Sequence, residues 1–266
     1  MVPVSRYTVR SQRLPAGFDG FTVVLLTDLH GRWFGPENGA LVETVRAIGP
    51  QLVAMTGDMV NCTNDDGGAF LAAGRALAGD CPVYYVEGNH EVVRLRRQPD
   101  DIIRIRRRLD ALGVIRLGNG RRTLVHAGGH IAVCGLELPF AYYLPFFDRR
   151  RRTLSLADMT RRLGPAPEDF TMLLTHSPVP FAAYAGWGAD MVLAGHLHGG
   201  MVRLPLVGGV LSPEWTLFPR YDAGQFTRPR GGGGESVLIV GRGLGSNHRP
   251  RIGNPPEVVA VTLHSG

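Results

Sequence analysis

The sequence predicts an α/β fold in which mixed β-sheets pack face to face with helices on the outside. Three observations predict it. Short apolar runs alternate with stretches of helical periodicity through about residue 115, and the rest of the chain is richer in strand-like runs. Five of the apolar runs are each followed directly by residues suited to binding a metal ion, and in α/β sheets the C-terminal strand edge is where ligands gather.

Phe21–Leu26, Leu52–Met55, Val83–Val86, Met172–Leu174 and Met191–Leu193 read as buried strands, because each is a short apolar run bounded by Gly, Pro or polar residues. Asn38–Ile48, Gly68–Ala78 and Asp100–Leu112 have helical periodicity. In the third, Ile102, Ile105, Leu109 and Leu112 share one face and arginines surround the rest. Thr123–Val125 and Ile131–Leu136 suggest a β-pair. Ser155–Leu163 and Val179–Ala185 suggest short helices, and Met201–Leu204, Val237–Val240 and Val258–Leu263 suggest strands. Gly231–Gly234 reads as a flexible surface loop tip. There is no internal repeat and no clear linker, so residues 1–266 are expected to form a single domain.

The chain has 266 residues, 44% hydrophobic and 20% charged, which excludes a disordered protein. Its apolar stretches fall short of the roughly 18 residues that a membrane span needs. Met1–Arg10 has no apolar segment of the signal-peptide kind. Cys62, Cys81 and Cys134 have no zinc-type spacing and read as reduced thiols, which suits a cytoplasmic location. All 29 basic residues are Arg, and the net charge of +6 suits an anionic substrate or an anionic membrane face.

The ordered set Asp28-Leu29-His30, Gly57-Asp58, Gly88-Asn89-His90-Glu91, His176 and Gly195-His196-Leu197-His198-Gly199-Gly200 carries the chemistry. In extended backbone, residues i and i+2 point to one side, so Asp28 with His30, and His196 with His198, are expected to reach one cation together. Asp58 can bridge two cations with its two oxygens, and Asn89 supplies a neutral oxygen. Mixed O and N ligands without thiolate favour Mn²⁺, with Fe and Zn²⁺ as the other fits. Two such cations serve in-line displacement at phosphorus. Taken singly, Asp-x-His or Gly-Asp says little, and a lone His176 is more often a core residue. The order of all five is what points to a polynuclear site.

With these motifs the chain resembles the calcineurin-like metallophosphoesterases, and most closely the bacterial branch of small single-domain phosphodiesterases that carry Gly-His-x-His-Gly-Gly. The resemblance runs nearly end to end and includes Gly241-Arg242-Gly243-Leu244-Gly245 and Arg251-Ile252-Gly253-Asn254-Pro255-Pro256-Glu257. It implies a four-layer α/β/β/α sandwich and a dinuclear centre whose bridging hydroxide attacks phosphorus. It implies one metal held by Asp28, His30, Asp58 and His198, and a second held by Asp58, Asn89, His176 and His196. His90 would act at the leaving oxygen, and Glu91, where the family more often has Asp, would orient His90. Leu197 stands where Thr is commoner. His248 and Arg251 are candidate substrate contacts. His126, His130 and His264 are expected in surface or core roles.

Pro139–Phe147 is aromatic and Pro-broken, and Arg149–Arg152 follows it. Two readings stand: a loop that docks at lipid headgroups or caps a pocket, or one whose aromatics fill core space beside a solvated charge run. The expected partner is a phosphate-containing small molecule or a lipid-linked substrate, with peripheral contact at the inner membrane face. Three functions compete. The first is a phosphohydrolase, with a lipid-linked pyrophosphatase of the UDP-diacylglucosamine type as its narrower form. The second is a non-catalytic binding module, which the complete ligand set argues against. The third is a nucleic-acid binder or nuclease, for which no recognised module is present.

Overall fold

The computed structural model describes residues 1–246 and 251–266. Its first sheet runs in the order β1 (Val4–Ser11), β14 (Val258–Ser265), β2 (Thr22–Leu26), β3 (Leu52–Thr56), β4 (Val83–Val86) and β5 (Val114–Arg116). Strands β2 to β5 are parallel, β14 is antiparallel to β2, and β1 is parallel to β14. The second sheet runs β12 (Gly224–Pro229), β13 (Glu235–Val240), β9 (Met191–Ala194), β8 (Thr171–Thr175), β7 (Gly129–Leu136) and β6 (Arg121–His126). Here β13, β9, β8 and β7 are parallel, and antiparallel β12 and β6 form the edges.

The two sheets face each other, and the strand alternation shows how. Val23, Leu25, Leu52 and Ala54 pack with Met172, Leu174, Met191 and Leu193 between the sheets. Their neighbours Val24, Leu26, Val53 and Met55 pack against the helices α1 (Gly39–Ile48), α2 (Gly68–Ala78) and α4 (Pro99–Ala111). On the far side Leu173, Val192 and Ala194 meet α5 (Leu156–Leu163) and α6 (Phe181–Trp187). Both faces of the central strands are therefore buried, which is why they read as unbroken apolar runs rather than alternating ones. The result is the expected four-layer α/β/β/α sandwich. Removing one such side chain, as in Leu25→Ala, is expected to cost about 2–5 kcal/mol.

Several boundaries differ from the sequence reading. Asn38 takes a left-handed conformation, and α1 starts at Gly39. Ser155 caps α5 from outside it, in a reciprocal box with Asp158. Helix α6 starts after Pro180, not at Val179. Val202–Leu204 (β10) joins neither large sheet; it pairs with Gly208–Leu211 (β11), and Val202 makes a single bridge to Ile252. Gly231–Gly234 is the turn between β12 and β13. Four strands and one helix carried too weak a pattern to be read: β1, β5, β11, β12, and α3 (Asn89–Arg97), where six polar or charged residues among nine mask the helix. Among the described residues no helix is long and apolar enough to cross a membrane.

Candidate metal centre

Strands β2, β3, β4, β8 and β9 all end at one edge of the sandwich, and each delivers its ligand segment there. Short main-chain bonds tie these segments together: Asp28 N–H donates to Gly57 O (3.0 Å), His30 N–H to Asp58 O (3.0 Å) and Gly195 N–H to His176 O (3.0 Å). The segments are not extended, contrary to expectation. Asp28 (φ 52°), His30 (φ 50°), Asp58 (φ 51°), His196 (φ 70°) and His198 (φ 53°) all occupy the left-handed region. The side chains converge because tight turns aim them inward, and Asp and His are among the few residues that accept this conformation. Two glycines permit the close packing. A Cβ on Gly195 would strike Thr27 Oγ1 and the Asp28 carboxylate, and one on Gly88 would strike the Asp58 carboxylate.

The structure brings the seven expected ligands to one cleft. Asp28, His30 and His198 present donor atoms to one another, and Asp58, His176 and His196 do the same beside them. Asp28 Oδ1 lies 4.0 Å from His30 Nε2, 3.9 Å from His176 Nε2 and 3.5 Å from His198 Nε2. Asp58 Oδ2 lies 3.9 Å from His30 Nε2 and 3.2 Å from His176 Nε2, so its carboxylate stands between the two groups. Asp28 Oδ1, Asn89 Oδ1 and His176 Nε2 are buried without a hydrogen-bond partner. Buried polar atoms are rarely left so, and a set of convergent oxygen and imidazole donors is what divalent cations satisfy. The residues therefore fit the binding of divalent metal.

The remaining bonds of these side chains fix their orientation. Asp28 Oδ2 accepts from Thr27 Oγ1 (2.7 Å) and His196 N–H (3.0 Å). Asp58 Oδ1 accepts from His90 N–H (2.8 Å). His176 Nδ1 donates to Thr56 O (2.7 Å), which leaves Nε2 free for a cation. Burial pushes His30 down to about 3 and moves His198 well below the ordinary histidine range, whereas for His176 burial is outweighed by Asp58 and then Asp28, which lift it to about 10. Burial works against a charged Asp58, but His176, His90 and His30 around it hold it well below the usual carboxylate range.

His90 faces the cleft, with Nε2 3.8 Å from Asp58 Oδ2, while its Nδ1 accepts from Cys62 N–H (3.1 Å). Burial opposes its charge, yet Asp58 and then Cys62 outweigh that and lift His90 to about 9. Glu91 does something other than orient His90. Its carboxylate accepts four backbone N–H groups, from Asp58 (2.9 Å), Met59 (2.7 Å), Val60 (3.2 Å) and Gly88 (2.9 Å). It thus pins the Asp58 turn and the entry to α3 rather than reaching the reacting groups.

His248 lies outside the described residues. Arg251 lines the cleft, but its guanidinium is directed at main-chain carbonyls of Asn254 (3.0 Å), Gly245 (2.5 Å), Arg242 (2.8 Å) and Pro255 (3.3 Å). Through these bonds it clamps the late loop while standing at the cleft wall. Asn254 extends that clamp, donating to His198 O and Gly200 O. The C-terminal signature is thus a brace for the ligand turn. His126 packs edge-on against Phe18 and Phe21, His130 pairs with Asp169, and His264 with Asp19.

Three contributors were not read from the sequence. Glu214 Oε1 accepts from His196 Nε2 (2.9 Å), and its Oε2 meets Arg151 (2.5 Å). Tyr143 sets its ring edge-on to His196 at 5.0 Å. The Arg149–Arg152 run was visible, but nothing marked Arg151 as the member that turns inward. The loop before it divides between the two readings: Tyr142 and Tyr143 fill core, whereas Phe146 and Phe147 are exposed. The cleft measures about 340 Å³, and its walls include Phe140, Leu144, Pro145 and Trp215.

A family model described as calcineurin-like phosphoesterase matches residues 21–200. The uncharacterized metallophosphoesterase YkuE of Bacillus subtilis is 26% identical over 271 residues, covering 100% of this chain and 86% of that protein. The phosphodiesterase YaeI of Escherichia coli is 34% identical over 255 residues, covering 91% and 82% respectively. Among solved structures, TT1561 of Thermus thermophilus matches with a TM-score of 0.47 and 13% identity over 83% of this chain and 88% of that one. The ligand-bearing strand ends of residues 21–200 all fall inside the matched region, and the chain belongs to the calcineurin-like phosphoesterase family.

Proposed function

We propose that this phosphoesterase is a phosphodiester hydrolase working with two divalent cations, Mn²⁺ being the best fit to the donor set. The observation that carries the reading is the position of Asp58, one carboxylate flanked by Asp28, His30 and His198 on one side and His176 and His196 on the other. Asp28, His30, Asp58 and His198 would hold one cation, and Asp58, Asn89, His176 and His196 the other. Bound there, the pair would lower the pKa of water and neutralise charge on the phosphate.

The chain's own groups supply the rest. Asn89 adds an oxygen without adding charge. His90 lines the cleft, and with Nδ1 accepting the Cys62 N–H its Nε2 carries the proton on the Asp58 side, where it is suited to donate to the departing oxygen. Loading the purified protein with Mn²⁺, counting bound metal by mass spectrometry and assaying bis(p-nitrophenyl) phosphate tests the reading. Two equivalents of metal with turnover support it; a protein that retains no metal, or binds two ions and hydrolyses neither diesters nor monoesters, sinks it.

A narrower reading takes the substrate to be a lipid-linked phosphate or pyrophosphate. Its support is the apolar wall formed by Phe140, Leu144, Pro145 and Trp215 beside the ligands, which suits a substrate with an apolar portion. A preference of at least about tenfold in kcat/KM for a nucleotide-lipid pyrophosphate over its deacylated counterpart is expected on this reading. Equal values would remove it.

A further inference from the structure

Eight of the fourteen large apolar side chains that stand exposed among the described residues fall in two short segments, 139–152 and 201–220. Leu206, at the tip of the β10–β11 hairpin, is fully exposed, and Val207, Phe218 and Trp215 follow it on the same segment. Phe146 and Phe147 represent the other segment. The two segments abut. Arg151 pairs with Glu214 across them, and Arg151, Thr216 and Arg220 line one groove. Leu206, Val207, Phe218 and Arg220 line the next. Both segments also wall the catalytic cleft, through Leu144 and Pro145 on one side and Pro213 and Trp215 on the other.

Charge is as uneven as polarity. The two segments hold six arginines and two acids, Asp148 and Glu214, of which Glu214 is buried against Arg151. Arg149, Arg150, Arg152 and Arg220 are exposed. An apolar projection rimmed by arginines is poorly matched to bulk water and to a neutral polar partner. It is matched to the headgroup region of an anionic bilayer, where apolar tips leave water and guanidinium groups meet phosphate.

We propose that this face docks on an anionic lipid bilayer, with the β10–β11 tip and Phe146–Phe147 entering the headgroup region so that the cleft opens at the membrane surface. The docking goes beyond the hydrolytic reading and does not depend on it.

Sedimentation with phosphatidylcholine vesicles, with and without one part in three of phosphatidylglycerol, tests the proposal. The protein is expected to co-sediment with the anionic vesicles, weakly with the neutral ones, and less at raised salt. Leu206→Glu combined with Phe218→Glu is expected to lower partitioning by at least about tenfold. These exposed residues lie outside the ligand set, so turnover of a soluble diester should be unchanged, which separates loss of docking from loss of the catalytic centre. A Trp33→Phe protein gives a reading that needs no change in the patch: it keeps buried Trp187 and exposed Trp215, and brominated lipid should quench the share of emission that comes from Trp215. Absence of binding to anionic vesicles, or an unaltered double variant, overturns the proposal. So does a dimer in sedimentation velocity that the double variant splits, since the face would then belong to a second copy.

Discussion

Glu214 Oε1 accepts the Nε2–H of His196 at 2.9 Å, which leaves Nδ1 as the nitrogen of His196 free to bind a cation. Glu214 is itself held by Arg151 at 2.5 Å. One candidate metal ligand is therefore oriented from outside the motif that supplies it. Glu214→Ala should weaken binding of one of the two cations by about 10–100-fold, while Glu214→Gln, whose amide oxygen still accepts, should keep most of the affinity. Mn²⁺ titration followed by electron paramagnetic resonance measures this. Identical titrations for wild type and Glu214→Ala would show that His196 needs no such support.

Removing the shared carboxylate should act on both cations together. Asp58→Ala is expected to lose bound metal and activity in parallel, and chelation of the wild type should abolish turnover that added Mn²⁺ restores. Metal counting and the diester assay on the same samples check this. A variant that keeps one full equivalent would place Asp58 at a single ion only.

His90 should separate binding from turnover. His90→Ala is expected to retain both metals while kcat falls by roughly 10²–10⁴-fold, the range for a positioned acid–base group. Stopped assays over a range of substrate concentrations divide the effect between kcat and KM. A fully active His90→Ala protein would end its assigned role.

Glu91 should matter to stability before it matters to chemistry. Glu91→Ala strands four buried N–H groups and opens a cavity, so a loss of at least about 3 kcal/mol is expected. Glu91→Asp keeps the charge but shortens the reach, and its loss should be smaller. Urea unfolding of the chelated proteins measures both. An Ala variant as stable as wild type would mean that these N–H groups find other partners.

Much of this centre was legible in the sequence because the ligands sit directly after apolar runs buried on both faces. Those runs locate strand ends, and Asp28, His30, Asp58, Asn89, His176, His196 and His198 could be placed from them. The local geometry was not legible. The i, i+2 argument assumed extended backbone at Asp28–His30 and His196–His198, whereas the turns are left-handed there. Glu91 was assigned to its chain neighbour His90, but its partners come from the Asp58 turn, about thirty residues away. Glu214, isolated between Pro213 and Trp215, had no periodicity to mark it. Arg251 looked like a free cation because its carbonyl partners belong to a loop whose path only the fold reveals.

Five of the seven ligands hold backbone shapes that residues with side chains resist, at a cost on the order of 1 kcal/mol each. The surrounding sandwich, through the Glu91 and Asn254 braces and the main-chain bonds between turns, meets that cost during folding. Cations would thus enter a cradle already set rather than gather loose loops around themselves. Transplanting the same seven side chains onto relaxed loops of another scaffold would copy the letters of the motif and lose its grip.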